Sequence, residues 1–203
     1  MSAQPAESAI PADYPSLRAF ADDIAAAAER RGERARVQIA NHEVTVTMMS
    51  PSTPHRLIVN ELILQIAGQD PTVRPMNDTN VEHPAVGILK VPDLFVVPKD
   101  TMDDQPEDGV DATTVLLVVE VVSKTNPGND HITKLRDYPR MGIPVYVIID
   151  PRDGTITVHE ESTTVSGQAR YADTPRPYKF GDTAVPMGRW TIDTSGFRRY
   201  KAA

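Results

Sequence analysis

The stretch TVLLVVEVV, residues 114–122, limits the possible folds more than any other part of the chain. A near-continuous run of aliphatic residues is a strand buried on both faces, as in the middle of a sheet covered by helices. One residue breaks the run. Glu120 is a carboxylate inside an apolar strand, and an ionised group rarely sits there without a partner. Left alone it takes up a proton instead. The strand's face is therefore expected to open at Glu120 onto a polar cleft.

The neighbouring segments supply the rest of a sheet. VPDLFVVP (91–98) reads as a short strand beginning just after a proline, and IPVYVIIDP (143–151) as another buried strand. Asp-Gly at 153–154 turns that strand into a hairpin with TITVHEE. ARVQIANHEVTVTMMSP reads as a second hairpin, turning at residues 40–42. SPSTPHRLIVNELILQIAGQD is an amphipathic helix with Leu57, Ile58, Leu62 and Ile66 on its apolar face and Gly68 as its stop. DHITKLRDYPRMG is a helix with Asp130 as its N-cap and Gly142 at its end, kinked or shortened by Pro139. Residues 16–31 form a further helix capped by Ser16. It is either an appendage or a helix packed on the main domain. The order predicts an α/β fold with a mixed sheet flanked by helices. The expected division is a flexible leader with the N-terminal helix over residues 1–35, then one domain over 36–203.

Composition narrows the chemistry. The chain has no cysteine, which excludes disulfides, thiolate metal sites and cysteine nucleophiles. A formal net charge of −7 argues against a protein that coats nucleic acid with its whole surface. Local basic runs remain, ERRGERAR (29–36) and FRRYK (197–201), each read first as a solvated segment. No run approaches the roughly 20 apolar residues of a membrane span, and no signal peptide is apparent. A cytoplasmic protein is the expectation. There is no Walker-type loop, GxGxxG, HExxH or GxSxG, and the histidines lack ligand spacing, so zinc is not expected.

Glu120 then gains partners. Asp93 stands on a neighbouring strand and Lys134 on the following helix. Two carboxylates from adjacent strands, with the Val121 carbonyl, can converge on a hard cation such as Mg2+. A nearby lysine orients or helps deprotonate water and stabilises charge on an attacked phosphodiester. The bland alternative is a structural salt bridge from Glu120 to Lys134 or Lys124.

The ordered set VPDLFVV, LLVVEVVSKTN and DHITKLRDYPRMGIPVYVIIDP resembles the Uma-type endonuclease family, a branch of the PD-(D/E)xK restriction-endonuclease-like superfamily. The resemblance runs through MMSPSTPHRLIVNELILQI and YKFGDTAVP, over roughly residues 36–200. It implies a restriction-endonuclease-like fold and Mg2+- or Mn2+-dependent hydrolysis of phosphodiester bonds, with DNA as substrate. It implies Asp93 and Glu120 as metal ligands and catalytic residues, with Lys134 as the catalytic lysine. Position 122 is Val where the simple ExK element has Lys, so the helix supplies the amine; Lys124 is the rival. Tyr138 and His55 match family positions and are expected to support the site. A homodimer follows from the superfamily alone. The other readings are an idle nuclease-fold binding or assembly module, and an RNA-directed enzyme.

Overall fold

The apolar runs pair into two main sheets in a computed structural model that describes residues 11–48, 52–106, 108–124, 129–172 and 174–201. The leader up to residue 10, the loop 125–128 and the capping side chain expected of Asp130 lie outside what is described. In chain order the elements are α1 (Tyr14–Arg30), β1 (Ala35–Ala40), β2 (Glu43–Met48), α2 (Thr53–Gln69), β3 (Val73–Met76), β4 (Val81–His83), β5 (Ile88–Lys90) and β6 (Leu94–Pro98). They continue with β7 (Val110–Asp111), β8 (Leu117–Val121), a π-helical turn (Asn129–Lys134) running into α3 (Leu135–Arg140), β9 (Tyr146–Asp150) and β10 (Thr155–His159). The last strands are β11 (Thr163–Val165), β12 (Gln168–Arg170), β13 (Arg176–Lys179), β14 (Val185–Met187) and β15 (Trp190–Ile192).

The six-stranded sheet runs β13-β10-β9-β8-β6-β3. It is mixed: β8 and β9 are parallel, while β6–β8, β9–β10, β10–β13 and β3–β6 are antiparallel. The parallel pair needs a crossover, and the segment containing α3 provides it. Alternation along β8 separates two cores. Leu117, Val119 and Val121 face Ile58, Val59, Leu62 and Ile66 of α2. Val118 and Val122 face the other way, among Phe95, Tyr138, Met141 and Tyr146. Glu120 shares that second face by register.

The five-stranded sheet runs β2-β1-β5-β4-β7. Asn41 and His42, with φ of 51° and 63°, make the two-residue turn between β1 and β2, a geometry whose twist suits a hairpin. α1 lies on this sheet, burying Tyr14 and Ala21 against Val37, Ile39 and Leu89. The Tyr14 hydroxyl donates to Glu82 at 2.7 Å, and Arg18 pairs with the same carboxylate at 3.3 Å. The N-terminal helix is thus packed on the body of the protein. Its burial and its bond to Glu82 push the Tyr14 hydroxyl well above its ordinary pKa.

Three local expectations need correction. α1 starts at Tyr14, so Ser16 lies inside it and caps nothing; Pro15 sits in its first turn, where a missing N–H costs least. Leu57 is 55 % exposed, and Val59 takes its place on the buried face of α2. Gly68 does not end α2, which continues to Gln69. Packing overrides the glycine there. Gln65 and Gln69 each clamp the C-terminal hairpin with a donor and an acceptor: Gln65 bonds Asp193 O and N, both at 2.8 Å, and Gln69 bonds Thr191 O and N at 2.7 and 3.0 Å.

Leu62 is fully buried, so Leu62→Ala is expected to cost about 2–5 kcal/mol of unfolding free energy in urea titrations. Leu57→Ala, one turn earlier but exposed, is expected to stay within about 0.5 kcal/mol of the parent.

Candidate active site

Where β6 and β8 run side by side, Leu94 pairs with Val119 and Phe95 with Val118. One step further the register brings Asp93 opposite Glu120. Asp93 Oδ2 accepts the Val121 backbone N–H at 2.8 Å, which fixes the carboxylate against β8. Both carboxylates are buried: Glu120 is fully covered and Asp93 is 4 % exposed.

Each is met by cations. Lys134 Nζ lies 2.7 Å from Glu120 Oε2, and the Tyr138 hydroxyl donates to Glu120 Oε1 in a short hydrogen bond. The π-helical turn ends at Lys134 and α3 carries Tyr138, so the change of helical pitch falls within the segment that presents both groups. Such turns recur at functional sites. Arg36 Nη1 lies 2.6 Å from Asp93 Oδ1, and His55 Nε2 lies 3.1 Å from Oδ2. Burial raises the pKa of Asp93, but the charges of Arg36, His55 and Lys134 outweigh it and hold the carboxyl far below its usual range. Burial likewise pulls on Arg36, and the carboxylates of Asp93, Glu120 and Asp78 overcome it and raise its pKa.

Next to this set lies a second buried ion pair, Lys90 Nζ to Asp137 Oδ2 at 2.7 Å. Arg136 bonds the other oxygen of Asp137 at 2.9 Å. Burial lowers the pKa of Lys90 against the pull of Asp137, and the nearby charge of Lys134 lowers it further.

The structure thus brings Asp93, Glu120, Lys134, Tyr138 and His55 together around one point of the sheet. Val121 supplies its N–H to Asp93 there. Lys124 goes elsewhere: its amine bonds Lys201 O at 3.1 Å and lies over the Tyr200 ring. Val122, where a simple ExK element has lysine, is fully buried in the second core. Sequence reading missed Arg36, Lys90 and Asp137. Lys90 carried the same signal as Glu120, a charge within an apolar run, ILKVP. Arg36 was hidden at the end of a basic run read as solvated. A cleft of about 210 Å³ opens on Asp93, lined by Arg34, Arg36, His55 and Arg56 among others.

The mixed sheet flanked by helices is a restriction-endonuclease-like fold. The sequence model of the Uma2 family, described as "Putative restriction endonuclease", matches residues 22–183, and the chain belongs to that family. A similar solved structure is the crystal structure of a "putative nuclease belonging to DUF820" from Anabaena variabilis ATCC 29413. It shares 15% sequence identity, covers 79% of this chain and 88% of its own, and has a TM-score of 0.59. At that identity the likeness shows the fold. No curated protein matches. Among the described residues no helix is long and apolar enough to cross a membrane.

Because the pKa of Asp93 is depressed on folding, its ionised form stabilises the protein above the ordinary carboxylate value of 3.8, and the contribution is lost as pH falls below it. Asp93→Asn is expected to lose about 3–5 kcal/mol at neutral pH, by removing the buried partner of Arg36 and leaving it only the exposed Asp78. The difference from the parent should narrow below pH 3.8 in urea titrations followed across pH.

Proposed function

We propose that the chain is a Mg2+- or Mn2+-dependent endonuclease that hydrolyses DNA phosphodiester bonds. The observation that carries this reading is the side-by-side placement of Asp93 and Glu120 with the Lys134 amine 2.7 Å from Glu120. Among the described residues no group of three or more His, Asp or Glu side chains suits a metal ion. Mg2+ does not need one: it is held by one or two carboxylates and keeps several waters. The donors present, two hard carboxylates and the Val121 carbonyl, fit that ion in kind. When bound, it supplies positive charge at the phosphate and makes water more acidic.

The chain's own groups do the rest. Arg36, His55 and the Val121 N–H keep Asp93 ionised and aimed. Tyr138 fixes one oxygen of Glu120. Lys134 sets an ammonium beside the carboxylates, where it orients water and offsets charge gathering on the attacked phosphate. The basic cleft gives an anionic strand a path to Asp93 despite a net charge of −7.

One observation favours a second reading, an inactive nuclease-fold binding module. Both carboxylates are already neutralised by protein cations, and a metal ion must compete with them. An RNA-directed enzyme uses the same chemistry and is separated by substrate alone.

Calorimetry with Mn2+ is expected to show specific binding to the parent chain and none to Asp93→Ala. Cleavage of DNA by Lys134→Met is expected to fall by about 10²–10⁴ in kcat. Cleavage of RNA only would redirect the proposal to RNA. An absence of both metal binding and cleavage of any nucleic acid would leave the binding module standing.

A further inference from the structure

The first turn of α2 breaks a rule of helix stability. Its N-terminus carries partial positive charge, which favours acidic residues and disfavours cations by about 0.3–1 kcal/mol each. α2 has no acidic residue in its first turn, and Ser52 makes no capping hydrogen bond through its side chain. The turn carries His55 and Arg56 instead. His55 is committed to Asp93. Arg56 is exposed, and its side chain makes no ion pair or hydrogen bond with any described residue.

Arg34, from the segment between α1 and β1, lines the same cleft. It too is exposed and without a partner among the described residues. The exposed amides of Asn60, one turn beyond Arg56, and Asn77 line it as well, with the Asp78 carboxylate, which pairs with Arg36 at 2.9 Å. Arg36 lies deeper, and its buried Nε has no hydrogen-bond partner among the described residues. Two uncommitted guanidinium groups at a positive helix end repel one another, and the two carboxylates of the cleft, Asp78 and Asp93, are already paired with Arg36. Fold stability gains nothing from this arrangement. A phosphate in the cleft resolves it, since guanidinium groups match phosphate oxygens in a two-pronged geometry.

We propose that Arg34 and Arg56 grip a backbone phosphate of the nucleic acid next to the one presented to Asp93 and Glu120. This rests on the nuclease reading and assigns the contact that positions the strand. The ligand is the sugar-phosphate backbone, held without reading bases, so the grip is independent of sequence.

The test is the salt dependence of binding, measured without metal so that no cleavage intervenes. The full chain is titrated by fluorescence anisotropy against a short fluorescein-labelled oligonucleotide of mixed sequence, presented as duplex DNA, single-stranded DNA and RNA. For the Arg34→Ala/Arg56→Ala variant, the slope of log K against log salt is expected to fall in magnitude by roughly 1 to 2, equally for unrelated sequences. Arg34→Lys/Arg56→Lys is expected to restore most of the slope, which separates lost charge from lost folding. Arg30→Ala/Arg31→Ala, which removes the same charge from the exposed end of α1, is expected to keep the parent slope. If the parent binds and the Arg34→Ala/Arg56→Ala variant keeps its slope, or the α1 variant loses as much, the phosphate grip is refuted while the nuclease reading stands. If the parent binds none of the three oligonucleotides, both fall.

Discussion

A carboxylate at the centre of the sheet is the constraint around which this structure is arranged. Glu120 lies in β8, which is flanked on both sides by strands and covered on both faces. An uncompensated charge there costs far more than a protein's few kcal/mol of net stability. Something must bring a cation and a proton donor to it, and the β8–β9 crossover does so. Lys134 and Tyr138 both reach Glu120, while Tyr138 packs on Tyr146 of β9 with ring centroids 4.9 Å apart. The same side chain therefore satisfies the charge and ties the crossover to the strand that follows. Electrostatics and packing choose one position for α3.

Asp93 extends the arrangement to the other elements. Its partners come from β1 (Arg36), α2 (His55) and β8 (the Val121 N–H). Lys90, at the end of β5, meets Asp137 of α3 at 2.7 Å and so links the five-stranded sheet to the crossover. Ions of both signs alternate across the junction of the two sheets, and each buried charge faces an opposite one. Removing a member unbalances the buried charge of its partners, so a change meant to probe chemistry also probes stability.

The sheet was legible in the sequence because strand burial leaves long aliphatic runs, as in residues 114–122 and 143–150. Glu120, Asp93, Lys134, Tyr138 and His55 were legible too, the first as a local contradiction, Asp93 and Lys134 as the partners its neighbouring segments offer, and Tyr138 and His55 through family resemblance. The structure pairs Glu120 with Lys134 and Tyr138, and Asp93 with His55, on the neighbouring strands β8 and β6. Arg36, Lys90 and Asp137 were not legible because their significance is a matter of tertiary contact. An arginine that ends a basic run looks solvated until β1 carries it against Asp93. Gly68 misled for a related reason: two glutamines bonded to a hairpin over 120 residues away hold α2 helical past it. Leu57 misled because helical spacing defines a face wider than the one buried. The division of the chain at residue 35 also rests on sequence alone, although α1 packs closely on β1.

The balance of charge argues for function over architecture. Buried ion pairs return little stability, and well-packed apolar residues of similar size often serve as well or better. A fold that needed only a crossover anchored on β8 would do so with leucine and phenylalanine. This chain instead buries Asp93, Glu120, Asp137, Lys90 and Lys134 around this junction, with the half-buried Arg36 against them, beside a cleft whose outer arginines, Arg34 and Arg56, have no partner among the described residues. The interior ions are balanced and the outer ones are not. That asymmetry suits the anionic ligand proposed above: Asp93 is held ionised by its own counter-charges, and the uncompensated positive charge is left at the mouth, where the proposed phosphate would arrive.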